Sequence, residues 1–154
     1  MSAKTNAIRL VEKAGIPYSE KFYEYSEDDL SGNHAAQVLG IPEEQVFKTL
    51  VARGERTGIN VFCIPVCCEL DLKKAAKAAG DKNMELIHVK ELLGLTGYIR
   101  GGCSPVGMKK KYPTYLDELC LLCDEIALSA GERGHQMIVP PEAIAQLVDA
   151  KIVD

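Results

Sequence analysis

Three short stretches of this chain carry residue types that could act on a ligand. Lys48 stands in Val46-Phe47-Lys48-Thr49-Leu50-Val51, an otherwise apolar run that reads as a strand. Alternation along a strand lets its ammonium face either solvent or a cleft wall, and on a cleft wall it would hold an anion. Gly101-Gly102-Cys103-Ser104-Pro105 is the second stretch. Paired glycines allow main chain to approach a ligand closely, and their N–H groups can point at an oxyanion. A tight turn between strands is the commoner use of such a pair. Lys109-Lys110-Lys111 follows closely and is either a solvated charge run or a steer for phosphates. The third stretch, Ser129-Ala130-Gly131-Glu132-Arg133-Gly134, is a hairpin turn or the rim of a pocket.

The familiar catalytic constellations are weak. His34, His88 and His135 fall in no metal motif and in no G-x-S-x-G elbow. Six cysteines are present: Cys63, Cys67, Cys68, Cys103, Cys120 and Cys123. Cys120-Leu-Leu-Cys123 has metal-ligand spacing, but its leucine spacer reads as a buried strand, and a structural zinc site wants four ligands at paired spacings. No metal and no cofactor is expected. With no apolar leader in Met1–Arg9, a disulfide framework is not expected either, and free thiols acting as small hydrophobes remain. Cys103 is the best-placed nucleophile by position, since Arg100 and Ser104 share its loop. A reactive thiolate needs electropositive surroundings, and every cysteine here lies in an apolar or glycine-rich setting.

The elements that must position these groups can be read from periodicity and punctuation. Asn6–Ala14 reads as a helix stopped by Gly15 and Pro17, and 18–25 as an aromatic-rich strand. Residues 26–32 form an acidic loop. A second helix spans 33–39 with Asn33 as N-cap and Gly40 as its stop. Pro42-Glu43-Glu44 suits a helical turn. Strands at 46–52 and 59–66 flank a polar turn and make a β-hairpin, with Pro65 ending the second strand or placing it at an edge. Asp71 caps a helix over 72–79, and Gly80 ends it. A short strand at 85–88, a helical turn at 90–95 and a glycine-rich loop over 97–107 follow. Strands are expected at 119–123, 126–128 and 136–139, with a turn at 129–134. Pro140-Pro141-Glu142 opens a last helix to about Asp149.

These elements interleave without long βαβ units. The expected fold is α+β, one domain over 1–154, around a mostly β core. A chain of 154 residues buries about 70% of its unfolded surface and needs no staple. No apolar run approaches the roughly 20 residues that cross a bilayer, so a cytoplasmic protein is expected. The net charge of −4 does not draw nucleic acid to the chain as a whole. RNA contact would rest on local clusters, Lys73-Lys74 with Lys77 and Lys109-Lys110-Lys111. The residues by themselves support a small α+β domain with an anion-binding cleft around Lys48 and Gly101-Gly102.

Five segments in order add a resemblance. Val46-Phe-Lys-Thr-Leu50, Leu70-Asp-Leu-Lys-Lys-Ala75, Gly97-Tyr-Ile-Arg-Gly-Gly-Cys-Ser-Pro105 with Gly107, Pro113-Thr114 with Asp117, and Ser129-Ala-Gly-Glu-Arg-Gly134 resemble the YbaK/EbsC family of aminoacyl-tRNA deacylases, related to the editing domain of prolyl-tRNA synthetase. The 70–75 and 101–105 segments look most like its Cys-tRNA(Pro) deacylase branch. The resemblance implies a mixed, barrel-like β-sheet core flanked by short helices. It implies a pocket whose catalytic groups are Lys48, Gly101 and Gly102. Tyr23, Thr49, Ser104, Pro105, Asp117, Ser129, Arg133 and Gly134 would contact the substrate, and Lys73, Lys109, Lys110 and Lys111 the acceptor stem. It implies an aminoacyl-tRNA acceptor end as partner, with prolyl-tRNA synthetase as a further one. Cys103 stands where an aliphatic residue is common, and Gln136 where the cysteine-specific branch can carry an acid. The implied chemistry is attack of the esterified cysteine's own thiol on its carbonyl. Rival readings are an editing enzyme for Ala-tRNA or another small aminoacyl-tRNA, a non-catalytic module binding aminoacyl-tRNA or nucleotides, and a redox or metal protein using Cys120 and Cys123.

Overall fold

A computed structural model of the chain describes residues 4–26 and 28–154. Residues 1–3 and Glu27 lie outside the described residues, and with them the first positions of the N-terminal reading and one residue of the acidic loop.

The helices form where local chemistry closes their ends. Helix α1 (Asn6–Lys13) starts at Thr5, whose side chain accepts from Ile8 N–H, and buries Ala7, Ile8 and Val11. Helix α2 (Gly32–Leu39) is capped by Ser31 accepting from His34 N–H, not by Asn33, whose amide instead donates to Glu43 at 3.3 Å. Helix α3 (Leu72–Ala79) begins at Asp71, which accepts from the Lys73 and Lys74 N–H groups, and ends at Gly80 in the left-handed region. Helix α4 (Val89–Thr96) and helix α5 (Pro141–Val148) complete the set. Among the described residues, no helix is long and apolar enough to cross a membrane.

Among the described residues eight strands form two sheets. The smaller has the order β1 (Ser19–Phe22), β7 (His135–Val139), β6 (Ile126–Glu132), all antiparallel. The larger has the order β4 (Met84–Leu86), β2 (Phe47–Gly54), β3 (Gly58–Pro65), β5 (Thr114–Asp117), β8 (Lys151–Val153). Its β4–β2–β3 side is antiparallel, and its β3–β5–β8 side is parallel. The sheets meet where Val46 makes a parallel bridge to Ala127, and they do not close into a barrel. One core spans both, built from Ile8 and Val11, Val51 and Val61, Leu116, Ile126 and Leu128, Met137 and Ile144. Each such side chain contributes about 1.5–3 kcal/mol when fully buried.

Several expectations need correction. Residues 119–123 are not a strand: Glu118–Leu122 is a 3₁₀ turn, started by Asp117 accepting from Leu119 N–H at 2.9 Å. The strand of this region is β5, just before it. Strand β1 is half the length expected, and all four of its residues are exposed. Strand β6 runs on to Glu132 through a bulge, so the turn shrinks to Arg133-Gly134.

The β2–β3 hairpin is tied down by Asp81, whose carboxylate accepts from Thr57 N–H at 2.8 Å, Thr57 hydroxyl at 2.7 Å and Arg56 N–H at 3.0 Å. These donors, the Thr57 N–H foremost, hold its carboxyl well below the usual carboxylate range. A group depressed in the folded state stabilises it above the unfolded pKa, near 3.9, and loses that contribution as pH falls. Asp81→Asn is therefore expected to lower Tm at neutral pH, with the gap to wild type closing below about pH 4. Thermal melts across pH check this, and a gap that widened on acidification would contradict it.

Candidate active site

Where the two sheets meet lies a cavity of about 350 Å³, near the lower end for ligand pockets. Strand β2 supplies one wall through Phe47, Lys48, Thr49 and Val51. Ser129 of β6 and Gln136 of β7 face it from the other sheet, with Tyr23 beyond the end of β1. The N-terminus of α2 (Ser31, Gly32, Asn33), Ile87 and Leu92 around α4, and the loop Arg100, Gly101, Cys103 close the remainder.

Lys48 pairs with Ile64 across the hairpin and is half-buried on this wall. Among the described residues its ammonium has neither a hydrogen bond nor an ion pair. Gln136 is 6% exposed, and among the described residues its Oε1 has no hydrogen-bond partner. Burial pushes the Tyr23 phenol above its ordinary value, against the Gln136 amide that hydrogen-bonds to it. The site thus presents a cation that has no partner among the described residues, and one of its wall residues, Gln136, holds a buried acceptor that is costly while unpaired. Among the described residues no histidine, aspartate or glutamate lines the cavity.

The glycine loop divides differently from expectation. Gly101 is on the cavity wall with φ +87°, a conformation that suits glycine, and its N–H makes no hydrogen bond among the described residues. Gly102 does not line the cavity. It is buried, its N–H donates to Ile99 C=O at 2.9 Å, and a Cβ there would sit 3.0 Å from the main chain of Glu132 and Arg133. Gly102 lets the loop lie against the β6–β7 turn, which leaves Gly101 and Cys103 on the cavity wall, and among the described residues neither of their N–H groups makes a hydrogen bond. Sequence spacing cannot tell which of two adjacent N–H groups a turn consumes.

Cys103 lines the cavity, and burial pushes its thiol up to about 12. Roughly one molecule in 10⁵ would then carry the thiolate at pH 7. Thr49 lines the wall and lies 3.7 Å from the Cys63 thiol, and Ser129 accepts from Gly131 N–H at 3.1 Å. The other expected contacts are elsewhere. Ser104 is fully buried and accepts from Val106 N–H, and Pro105 is buried beside it. Asp117 starts the 3₁₀ turn. Arg133 donates from Nε to Arg100 C=O at 2.8 Å, bracing the loop from outside. Gly134 is buried at the turn, where a Cβ would meet Tyr23 C=O at 2.6 Å. Lys73 is exposed on α3, which packs against β4 and borders a different cavity. Lys109, Lys110 and Lys111 are exposed on the surface, with Lys111 3.3 Å from Asp149. Gln136, the α2 N-terminus and Ile87 were not readable as wall residues, because the packing of separate elements brings them together.

Residues 31–147 match the aminoacyl-tRNA editing domain, and the chain belongs to that family, whose class of activity is aminoacyl-tRNA deacylation. It is 50% identical over 151 residues, 98% of this chain and 92% of the relative, to the "Putative Cys-tRNA(Pro)/Cys-tRNA(Cys) deacylase EbsC" of Enterococcus faecalis. It is 22% identical over 129 residues, 84% of this chain and 82% of the relative, to the uncharacterised protein YwhH of Bacillus subtilis. Among solved structures, "a putative trans-editing enzyme for prolyl tRNA synthetase" superposes with a TM-score of 0.81 at 28% identity, covering 99% of this chain and 98% of the other.

Proposed function

We propose that this protein removes mischarged cysteine from tRNA(Pro), and Cys-tRNA(Cys) as a second substrate, acting in trans in the cytoplasm with prolyl-tRNA synthetase as a partner. One observation carries the reading: an unpaired ammonium and unpaired main-chain donors share a cavity with no carboxylate or imidazole on its described walls. A site built this way can grip an anion and stabilise an oxyanion, but it offers no obvious general base. The substrate supplies the nucleophile. The cysteine sulfur bonds to its own carbonyl carbon, the carbon–oxygen bond to the terminal ribose breaks, and the thiol proton ends on the ribose oxygen. The products are a cyclic thiolactone and free tRNA. Intramolecular attack in good geometry reaches effective molarities of 10⁵ M or more, about 7 kcal/mol.

In this scheme Lys48 binds the terminal adenosine or its phosphate as a point charge. The Gly101 and Cys103 N–H groups meet the developing oxyanion, and loss of one such donor typically costs about 3 kcal/mol. Tyr23, Thr49 and Ser129 bound the aminoacyl group, and the Gln136 side chain turns its unpaired Oε1 to the ammonium when the substrate enters. Lys109–Lys111 give the acceptor stem a looser electrostatic contact.

The test is deacylation of cysteinyl-tRNA beside its 2-aminobutyryl analogue, which replaces the thiol with a methyl of similar size. The cysteine ester is expected to be cleaved, and the analogue to resist by several orders of magnitude. Equal rates would mean water attack and end the cyclisation scheme. Cys103→Ala is expected to keep near-normal kcat, because a thiol held protonated at neutral pH is not the nucleophile. An inactive Cys103→Ala with a normal Tm would instead point to a covalent enzyme intermediate.

A further inference from the structure

Strand β3 ends at Pro65, and the chain then turns sharply: Cys68 N–H donates back to Pro65 C=O at 3.0 Å. This turn presents two adjacent thiols, Cys67 exposed and Cys68 half-buried, with sulfurs 3.9 Å apart. Neither belongs to the candidate active site. Of the other four cysteines, Cys63 and Cys120 are buried. Among the described residues no third His, Cys, Asp or Glu joins the pair, which excludes a tetrahedral zinc site needing four ligands. A disulfide is also a poor fit. Neighbouring Cα atoms are about 3.8 Å apart across a trans peptide, short of the roughly 4.4 Å at which disulfide geometry begins. A ligand that bridges two thiols without joining them suits the spacing better.

A second cavity, of about 190 Å³, opens beside Cys68. Phe62, Leu70, Ala75 and Tyr115 give it an apolar floor, with Phe62 and Tyr115 stacked 5.2 Å apart. The dithiol therefore stands at the mouth of a hollow that can take an apolar group.

We propose that Cys67 and Cys68 form a chelation site for a trivalent arsenical bearing one organic substituent, with the substituent in the cavity beside Tyr115. The reaction is a condensation. Two arsenic–sulfur bonds form, the arsenic–oxygen double bond of the oxide breaks, and both thiol protons leave with that oxygen as one water. Arsenic stays trivalent and no electrons are transferred. Since the protons end in water, neutral thiols are competent reactants.

The probe is phenylarsine oxide added to the reduced full-length protein, with bound arsenical followed by intact mass. One equivalent, with loss of one water, should survive a monothiol wash and be released by a small dithiol. In Cys67→Ser and in Cys68→Ser release into monothiol should be roughly 10²-fold faster or more, because the second bond no longer acts intramolecularly. Cys120→Ser and Cys123→Ser should hold it like wild type, and Tm values should show all four variants folded. Retention that survives in either Cys67→Ser or Cys68→Ser, or none in wild type after the wash, overturns the site. Methylarsine oxide should be released faster than the phenyl compound, and equal release would overturn the role given to the cavity.

Discussion

Lys48→Ala is expected to lower kcat/KM for cysteinyl-tRNA by roughly 10- to 150-fold, corresponding to the 1.5–3 kcal/mol typical of a hydrogen bond to a charged group. The folded state should not suffer, since the ammonium has no partner among the described residues. Tm should therefore hold. The split between constants locates the ligand atom. If Lys48 grips a phosphate equally in ground and transition states, the loss falls on KM, and the salt dependence of kcat/KM becomes shallower. If it faces charge that develops at the carbonyl, kcat falls and KM is little changed. Lys48→Arg should rescue only in part, because a planar fork does not replace a compact point charge on a short wall. An alanine variant that is folded and fully active would remove Lys48 from the site.

How much of this site could be read in advance depends on whether its determinants are local. The α3 helix was readable to the residue, since Asp71, an alanine-rich turn and Gly80 act within one another's reach. Lys48 stood out because one cation interrupts an apolar run, and the bend after β3 was announced by Pro65. The missed strands β5 and β8 have four and three residues and pair in parallel with strands far away in sequence. Neither carries a pattern long enough to show a period. The Leu119–Cys123 run reads as a strand because apolar content ordinarily marks burial. In the 3₁₀ turn Cys120 points in, while Leu121 and Leu122 are 53% and 83% exposed. The mixed core flanked by short helices is present, but the sheets do not close into a barrel: among the described residues a single bridge from Val46 to Ala127 joins them, and closure is a property of all the strands together.

Gly102 shows the same divide at one residue, and it yields the second large effect. Its place in a Gly-Gly pair suggested a donor, but its N–H is spent on Ile99, and its hydrogen atom fills the room a Cβ would need. In Gly102→Ala the new carbon meets Arg133 N, Glu132 C and Glu132 Cα at 3.0 Å each. These are backbone atoms of the β6–β7 turn and cannot swing aside as a side chain can. The loop or the turn must shift, at a cost of about 1–3 kcal/mol for overpacking. The shift required is a few tenths of an ångström, and because a misplacement of about 1 Å costs roughly 10²-fold in rate, moving the Gly101 and Cys103 N–H groups this far is expected to cost up to roughly 10-fold. Alanine keeps its own N–H, so the loss measures position and not a deleted donor. At Gly101 the strain is different in kind. The positive φ disfavours alanine by about 1–2 kcal/mol, and the nearest atoms are Leu30 Cβ and Cδ2 at 3.2 Å, which belong to a separate loop and not to the main chain of the β6–β7 turn. Gly102→Ala should therefore lose more kcat than Gly101→Ala, although only Gly101 touches the cavity. Single-turnover deacylation of both variants, with Tm measured alongside, checks the order. A Gly102→Ala protein with wild-type kcat would show that the loop holds the donors without being braced against the β6–β7 turn.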